Sequence, residues 1–408
     1  MPPAKPAKRA AAIAGLAQWA PQRIWDRPMF NLEATAELSA LALADAGIDK
    51  AEVDGLVLGA VGESPMFAPS AAAEYLGVKA NFGEVVDLGG ASPAGMLWRA
   101  AAAIEVGVCE TVLVVCATVP PPRHPARESR HAGPGGRMRM PAYMGGDSWG
   151  SPQGAFEIPH GLVAATPSFA LCASRYMAMY PLEQETLAKI AVEERYNAQQ
   201  NPDAIFQGKP ITIEDVMTSR MVADPLKLLE VVMPCFGGGA LVVTKAERAL
   251  QGPHRPVFVA GYGERVTHKS ITYAPDLAET PTRVASERAF RMAGVSRDDV
   301  DLVAPYDCYT ITVLLTIEDA GFCKKGEGGA FIEERDLRYD GDFPCNPHGG
   351  QLGCGQAGLA GGLSHVTESV LQLQGRAAGR QVAGADIAYV NGTGGMMAEQ
   401  VAVLLEGA

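Results

Sequence analysis

The chain repeats itself, and this internal repeat limits the folds that it can adopt. The segment LALADAGIDKAEVDGLVLGA at residues 41–60 is echoed by AFRMAGVSRDDVDLVAPYD at residues 289–307. Each copy predicts an amphipathic helix that stops at a glycine, followed by a short acidic turn and a buried strand. One such match arises easily by chance, so a second echo in the same order is needed to indicate duplication.

A second pair of segments supplies that echo. VVDLGGASPAGMLWRAAAAIEVG precedes the apolar TVLVVCA, and CNPHGGQLGCGQAGLAGGLSHVTESVLQL precedes ADIAYVNGTGG. Each predicts a glycine-rich turn, a helix of small residues that packs closely at the centre, and a strand. Because strands alternate with helices, we predict layered α/β sheets. The N-terminal half is residues 1–250, with a long insertion over about 119–230, and the C-terminal half is residues 251–408.

Composition narrows the class of protein. With 408 residues, 48% of them hydrophobic, the chain can form two domains or a duplicated one. The formal net charge of −12 argues against nucleic acid as a partner. No apolar stretch approaches the roughly 20 residues of a membrane span, and we interpret AAIAGLA near the N-terminus as a first strand rather than a signal peptide. Eight scattered cysteines without a CxxC motif fit a reducing cytoplasm.

Architecture and motifs together resemble the thiolase superfamily, and more narrowly its sterol-carrier and lipid-transfer-protein branch. The resemblance covers nearly the whole chain, and its most specific segments are residues 158–162, 209–230, 306–332 and 346–353. It implies a five-layer αβαβα fold, with two mixed sheets around buried central helices. It also implies an acyl-CoA thioester as the substrate, surrounded by four loops.

The first loop of such proteins offers a reactive cysteine at the start of the buried helix, where the helix N-terminus lowers the pKa of a thiol. Gly90 stands at that position here. Ser92 lies two residues further on and is the only hydroxyl nearby. With no base beside it, Ser92 is more simply interpreted as a helix cap or core serine, and we place both residues at the substrate-binding surface.

The second loop has His-Asp-Cys-Phe in this branch and Tyr306-Asp307-Cys308-Tyr309 here. The resemblance implies that Cys308 serves as an acid/base group, although it could also be an ordinary buried thiol. Tyr306 replaces the histidine and is a second acid/base candidate. Asp307 either orients a neighbouring group or caps the following helix.

The third and fourth loops have also changed. Gln356 replaces the histidine that activates the thiol, and Asn391 replaces a second cysteine. Nucleophile, activating histidine and second cysteine are therefore missing together. This pattern predicts changed chemistry rather than a damaged thiolase, with a catalytically silent scaffold as the alternative. Gln356 and Asn391 can still donate hydrogen bonds to a substrate.

Members of this branch that lack the nucleophile resemble retro-aldolases, which cleave a β-hydroxyacyl-CoA into a carbonyl compound and a shorter acyl-CoA. That reaction needs a base, donors for the thioester oxygen, and an acid. We predict Tyr306 and Cys308 as the acid/base groups. We predict that His348 and the backbone N–H groups of Gly349 and Gly350 bind the thioester oxygen.

The chain departs from the retro-aldolase pattern at two positions. Those enzymes carry a tyrosine where Gln356 stands, and another tyrosine that falls near Thr267 or His268. His268 could substitute at the substrate, or it could simply be exposed.

Two further clusters of residues could bind a ligand. The arginine-rich segment 120–141, which includes Arg123 and Arg127, could anchor the phosphates of coenzyme A or an acidic partner, or it could be a solvated loop. Cys345, His348 and Cys354 have soft ligand atoms, but their spacing matches no standard zinc site, so we predict no metal.

The sequence thus predicts a C–C lyase of the retro-aldolase type. The alternatives are an atypical thiolase or acyltransferase that uses Cys308 or Cys354, and a silent subunit that binds CoA esters. We expect no tightly bound cofactor, since coenzyme A is part of the substrate. We also expect a homodimer formed through the apolar strand at 111–117, and a small zinc-ribbon/OB-fold protein as a possible partner. The acyl group stays open.

Overall fold

The computed structural model describes residues 9–122 and 151–408. Within these ranges the strands are β1 (Ala11–Gln22), β2 (Gly55–Leu58), β3 (Phe82–Val85), β4 (Thr111–Thr118), β5 (Met221–Ala223), β6 (Leu226–Lys227), β7 (Phe236–Lys245), β8 (Val257–Val266), β9 (Leu302–Ala304), β10 (Ile387–Gly394) and β11 (Glu399–Gly407). The helices are α1 (Asn31–Ala46), α2 (Ala68–Leu76), α3 (Ser92–Glu105), α4 (Pro152–Phe156), α5 (Thr166–Met179), α6 (Gln184–Gln199), α7 (Ile213–Thr218), α8 (Ala246–Ala249), α9 (Thr282–Ala293), α10 (Thr310–Ala320), α11 (Gly328–Glu334), α12 (Gly350–Cys354) and α13 (Leu363–Leu373).

The two halves of the chain build sheets with the same strand order. The first half runs β3-β2-β4-β7-β1, and the second runs β9-β10-β11-β8. β2 pairs in parallel with β4, and β9 pairs in parallel with β10. The last strand of each half along the chain, β7 or β11, pairs antiparallel with both of its neighbours. Where β3 stands in the first half, the described residues of the second half have a single bridge between Val303 and Cys345.

The first strands of the two halves also pair with each other. β1 and β8 run antiparallel and meet at Ala12–Phe258 and Ile13–Val257. Because of this short seam, the hydrogen-bonded ladder is continuous over nine strands. The expectation of two separate mixed sheets therefore needs a refinement: the two sheets exist, but they share an edge at the centre of the molecule.

Helices cover both faces of this sheet system. α3 and α13 contact strands from both halves and each other, so they form the central layer. α1 and α2 lie outside the first half, and α9 and α10 lie outside the second. The buried apolar residues form three large clusters, one around the central helices and one under each outer layer. The predicted five-layer α/β fold is confirmed.

The echo in the sequence corresponds to equivalent elements. α1 ends at Gly47 with φ 62°, and α9 ends at Gly294 with φ 75°, each in the left-handed conformation that favours glycine. A 3₁₀ turn and a buried strand follow in both copies. The second central helix differs from the prediction: Gly355 with φ 99° and Gly358 with φ 53° break it into α12 and α13. Because of this break, Gln356 lies in the connection between α12 and α13.

The structure bears on two further predictions, the strand that forms a dimer and the absence of a membrane span. The strand predicted to form a dimer, β4, lies inside the sheet with β2 on one side and β7 on the other. Both of its edges are therefore hydrogen-bonded, and it cannot pair with a second copy. In the first half it is β3 that ends the ladder, as β9 does in the second half. None of the helices in the described ranges is long and apolar enough to cross a membrane.

The insertion packs over the second half. α5 and α6 contact α10, and α6 also contacts α11 and α12. Val232, just after the insertion, hydrogen-bonds through its N–H to the Cys308 carbonyl at 3.4 Å. The insertion therefore forms one wall over the loop that carries Tyr306 and Cys308.

Candidate active site

A narrow cleft lies where loops from both halves meet the insertion. Its volume of about 40 Å³ leaves room for only a few atoms beside the reacting groups. The residues that line it are Gly89, Gly90, Ala165, Phe169, Val232, Tyr306, Cys308, Tyr309, Gln356, Thr393, Gly394 and Gly395. Four predicted site residues, Gly90, Tyr306, Cys308 and Gln356, thus come together.

Tyr306 fills the space where a side chain at position 90 would begin. A Cβ atom built on Gly90 would overlap the Cζ and hydroxyl oxygen of Tyr306, and it would lie 2.6 Å from the Thr393 carbonyl oxygen. Tyr306 itself is 4% exposed. A cysteine at position 90 and the phenol ring in this place therefore exclude each other.

The Tyr306 hydroxyl is held by the third loop. Gln356 Nε2 donates a hydrogen bond of 2.9 Å to the phenol oxygen, and the two main-chain groups of Gln356 pair with Met233 and Cys235. This contact holds the phenol oxygen in place beside Gly90. The residue that replaced the activating histidine thus supports Tyr306 instead of a thiol.

Cys308 lines the same cleft as a protonated thiol. Burial first, and the charge of Asp307 second, raise its pKa well above the ordinary thiol value. The thiolate required for nucleophilic attack is therefore scarce at neutral pH. The thiol can act as a proton donor.

The apolar wall of the cleft was missed by the sequence analysis. The Tyr309 ring stacks on Phe169 with centroids 4.4 Å apart, and the Tyr309 hydroxyl pairs with Thr166 Oγ1 at 2.9 Å. Tyr309 stands next to Cys308 in the sequence, so its position could have been suspected. Phe169 comes from α5, about 140 residues earlier, and no local pattern marks it.

Asp307 points away from the cleft into the protein. It is fully buried, its Oδ1 lies 3.1 Å from His365 Nε2, and its Oδ2 accepts from the Leu352 N–H at 2.8 Å. Burial raises the pKa of Asp307, but hydrogen bonds from His365, Glu194 and Leu352 outweigh it and lower the pKa to about 2. The predicted orienting role of Asp307 thus concerns buried partners, which the sequence analysis missed.

Ser92 and Asn391 lie beside the cleft without lining it. Ser92 Oγ accepts from the Leu88 N–H at 2.8 Å and is 2% exposed, as expected for a residue that closes the turn before α3. Asn391 Nδ2 donates to Gln400 Oε1 at 3.0 Å, and Asn391 Oδ1 accepts from Thr393 Oγ1 at 3.2 Å. Neither residue reaches a substrate in this arrangement, which corrects their assignment to substrate binding.

His348, Gly349 and Gly350 are not at the cleft, so the predicted contact with the thioester oxygen is wrong in geometry. His348 is buried, with its Nε2 3.3 Å from Ser364 Oγ, and its ring meets His365 edge-on at 5.3 Å. A Cβ on Gly349 would lie 2.5 Å from the Cβ of Ala198 in α6, and one on Gly350 would overlap Asp307. These glycines allow α6 to approach α12 closely.

His268 lies at the margin of the site. Its Nδ1 pairs with Thr267 Oγ1 at 2.9 Å, and its main chain passes the cleft-lining Gly395. Burial lowers the pKa of His268, and its buried Nε2 has no hydrogen-bond partner among the described residues. Arg123 and Arg127 fall outside the described residues.

Among the described residues no group of three His, Cys, Asp or Glu side chains could hold a metal ion. All eight cysteines are free thiols. Cys354 donates to the His348 carbonyl at 2.9 Å and lies away from the cleft lining.

Comparisons with known proteins fit this fold and site. Residues 263–407 match the thiolase C-terminal domain-like family. The chain is 32% identical over 391 residues to the 17-hydroxy-3-oxo-4-pregnene-20-carboxyl-CoA lyase of Mycobacterium tuberculosis, which covers 94% of this chain and 96% of the relative. It is 31% identical over 400 residues to the steroid side-chain-cleaving aldolase of Thermomonospora curvata, with 94% and 95% covered.

Solved structures have the same fold. The Ltp2-ChsH2(DUF35) aldolase superposes with a TM-score of 0.84 at 28% identity, over 98% of both chains. A monomeric SCP2-thiolase-like protein type 1 of Mycobacterium smegmatis shares the fold, with a TM-score of 0.72 at 19% identity over 98% of this chain and 78% of that one. The chain therefore belongs to the thiolase superfamily. Within it, the relatives place the chain in the sterol-carrier-type, thiolase-like branch.

Proposed function

We propose that the chain is an acyl-CoA lyase that cleaves a β-hydroxyacyl-CoA by a retro-aldol reaction, without a covalent acyl-enzyme. The observation that carries this proposal is the Tyr306 hydroxyl, which lies where a nucleophilic side chain at position 90 would start. Two relatives that match nearly the whole chain are named as a lyase and an aldolase. The cleft thus keeps acid/base groups and lacks a thiol at position 90.

The reaction balances with these groups alone. Tyr306, as phenolate, takes the proton of the β-hydroxyl, and the bond between the α and β carbons breaks. The electron pair passes into the thioester as an enolate, and the β carbon leaves as an aldehyde or ketone. A proton then returns to the α carbon from Tyr306, or from Cys308, which Tyr306 reprotonates. No cofactor is consumed, and coenzyme A enters only as part of the substrate.

The enolate oxygen needs hydrogen-bond donors. With His348 and its neighbouring glycines buried elsewhere, the groups at the cleft are the backbones of two glycine pairs, Gly89–Gly90 and Gly394–Gly395. Glycine lets a ligand approach the main chain closely. We therefore propose that N–H groups of these two loops bind the thioester oxygen, one loop coming from each half of the chain.

A product assay tests the function. The full-length chain is incubated with β-hydroxyacyl-CoA esters of graded size, and the shorter acyl-CoA and the released carbonyl compound are measured together. We expect equal amounts of both products. The Tyr306→Phe variant serves as the control for contaminating activities. Cleavage of none of these esters, together with thiolysis of a β-ketoacyl-CoA by free coenzyme A, would overturn the proposal.

The atypical thiolase is the second candidate because Cys308 lies in the cleft. Its raised pKa argues against it, since little thiolate is present. Trapping an acyl adduct on Cys308 or Cys354 would favour this candidate. Turnover that persists in a Cys308→Ala/Cys354→Ala double variant would exclude it. A silent subunit would bind acyl-CoA and cleave nothing, alone or with a partner.

The assembly is part of the same proposal. A homodimer would use the exposed edge of β3 rather than β4, because β3 ends the ladder. The structural relative with the highest TM-score of those compared is a two-protein aldolase by its name, which supports a partner protein. That this partner is a small zinc-ribbon/OB-fold protein stays a prediction. Mass measurement of the chain alone and after co-expression with such a partner tests both. The cytoplasmic location stays a prediction.

A further inference from the structure

A buried polar cluster lies directly behind the loop of residues 305–309, which carries Tyr306 and Cys308. It joins Asp307 from that loop to Glu194 of α6, Asn346 before α12 and His365 of α13. These side chains are almost completely buried, and none of them lines the cleft. Four charged or polar groups from separate elements therefore meet at the residue between the two acid/base candidates.

The hydrogen bonds fix the orientation of the Asn346 amide. Its Nδ2 donates to Glu194 Oε1 at 2.7 Å and to the Pro305 carbonyl at 3.0 Å. Both neighbours are acceptors, so Asn346 Oδ1 must be the atom that faces His365 Nδ1, at 3.0 Å. His365 Nδ1 therefore carries a proton.

The other ring nitrogen of His365 faces the Asp307 carboxylate and the Gln351 amide. His365 Nε2 lies 3.1 Å from Asp307 Oδ1, and the low pKa of Asp307 makes that oxygen an acceptor. Only an imidazolium can donate from both nitrogens. Gln351 Nε2 lies 3.1 Å from the same ring nitrogen and 3.4 Å from Asp307 Oδ1, so an imidazolium requires the Gln351 amide to turn its Oε1, which has no hydrogen-bond partner among the described residues, toward His365.

Glu194 completes the proton count. Its Oε2 and Asp307 Oδ2 approach the same point beside Gly350. Burial first, and then Asp307, raise the pKa of Glu194 well above its usual value, so Glu194 is a neutral carboxyl that donates to Asp307. With an imidazolium at position 365, the cluster would hold one anion, Asp307, and one cation, and it would be neutral overall.

We propose that His365 is an imidazolium and a positioning residue for Tyr306 and Cys308: paired with Asp307, it fixes the loop of residues 305–309 and offsets the carboxylate charge beside the phenol and the thiol. This inference rests on the proposed lyase function. The His365 ring lies 5.8 Å from the Tyr306 ring, so its charge acts directly on the phenol. Without the cation, Asp307 would place an uncompensated anion next to both acid/base groups.

The other titratable groups around His365 do not supply a replacement charge. Burial, and then the charge of His365, keep the pKa of His348 well below its usual value, so that histidine is neutral. Burial raises the pKa of both Cys345 and Cys354, so they remain thiols. On α13 itself, Glu368 is committed to an ion pair with Arg380 at 2.8 Å. His365 is therefore the group in this cluster that can neutralise Asp307.

The test compares His365→Gln with a matched control, Glu368→Gln. The control also breaks a buried ion pair of α13, but one without contact to the loop. For His365→Gln we expect kcat to fall at least about tenfold with KM within about threefold, because positioning acts on the transition state. The ascending limb of the pH–kcat profile should move up by about one to two pH units, since the added anion raises the pKa of Tyr306. Glu368→Gln should leave the limb in place.

A double variant guards against misfolding. His365→Gln/Asp307→Asn removes both charges without leaving a buried ion, so it should fold even where the single variant does not, and its pH limb should return toward that of the wild type. A limb that is unmoved in folded His365→Gln, or that stays displaced in the double variant, overturns the proposal.

A readout independent of activity separates this proposal from the lyase function. The chain has 11 tyrosines, and the ¹³Cζ signal of Tyr306 is identified by its loss in Tyr306→Phe. Its titration should shift upward in His365→Gln even if no substrate is cleaved. An unshifted titration refutes the positioning role, whereas a wild-type chain that cleaves no β-hydroxyacyl-CoA refutes only the lyase function.

Discussion

The two halves of this duplicated fold contribute to the cleft in opposite ways. The first half brings main chain to the reacting centre, at Gly89 and Gly90, and apolar side chains from its insertion, whereas the second half brings the reacting side chains Tyr306 and Cys308 together with Gln356. The two facts are connected, because the missing side chain at position 90 is the space that Tyr306 fills. Losing the nucleophile in one half and gaining a phenol in the other is therefore one structural change.

The largest effect is expected from removing the phenol oxygen of Tyr306. In Tyr306→Phe the ring still fills the space beside Gly90, but the acid/base group is gone. We expect kcat for C–C cleavage to fall about 10²–10⁴-fold, the usual cost of losing such a group. Acyl-CoA affinity, measured by calorimetry, should stay within a few-fold because remote contacts hold most of the ligand.

Tyr309→Phe is the matched control for that variant. It removes a phenol from the same cleft, but one that pairs with Thr166 rather than Gln356. Its kcat should change much less. Equal losses in the two variants would mean that any hydroxyl in this cleft matters, and Tyr306 would lose its special role.

Adding a side chain at position 90 tests the same difference between the halves from the first half. In Gly90→Ala the new methyl group must displace Tyr306 or the Thr393 carbonyl. We expect about 10²-fold lower kcat from the misplaced phenol, and a loss in unfolding free energy of about 1–3 kcal/mol from overpacking. Activity assays and denaturant unfolding measure the two effects.

A double variant sharpens this result. Gly90→Ala in a Tyr306→Ala background should cost less stability than in the wild type, because the clash with Tyr306 is gone and only the one with the Thr393 carbonyl remains, and the double variant should be inactive. Gly90→Cys should not restore thiolysis, since the thiol would lack both space and the histidine that Gln356 replaces. Easy recovery of acyl transfer by Gly90→Cys would show that the two loops have been matched wrongly.

Cys308→Ala has a smaller expected effect, because Tyr306 can return the proton to the α carbon in its place. We expect kcat to fall by up to about 10²-fold, the low end for an acid/base group. The wild-type thiol should also resist iodoacetamide near pH 8, because burial and Asp307 raise its pKa. Mass spectrometry of the peptide that contains Cys308 measures the alkylation, and rapid labelling would contradict the protonated state.

The sequence predicted the duplicated layers and the meeting of Tyr306, Cys308 and Gln356, because these features depend on local patterns and on loops with recognisable residues. It misplaced His348 because a glycine pair was taken as an opening for substrate, whereas Gly349 and Gly350 make room for α6 and Asp307. It missed Glu194 and His365 because they are about 170 residues apart in the chain and meet only through packing. No regular spacing of residues in the sequence marks such a cluster.

Ser92→Ala should have the smallest effect and therefore sets the baseline for the comparison. Ser92 is the hydroxyl nearest to Gly90 on the first loop, yet its Oγ is used by the Leu88 N–H at 2.8 Å. Losing this hydrogen bond should lower the unfolding free energy by about 1 kcal/mol, with kcat within about twofold of the wild type. Denaturant unfolding and steady-state kinetics separate the two quantities. If kcat instead fell as far as in Tyr306→Phe, a side chain from the first half would take part in the chemistry, and the assignment of all reacting groups to the second half would be wrong.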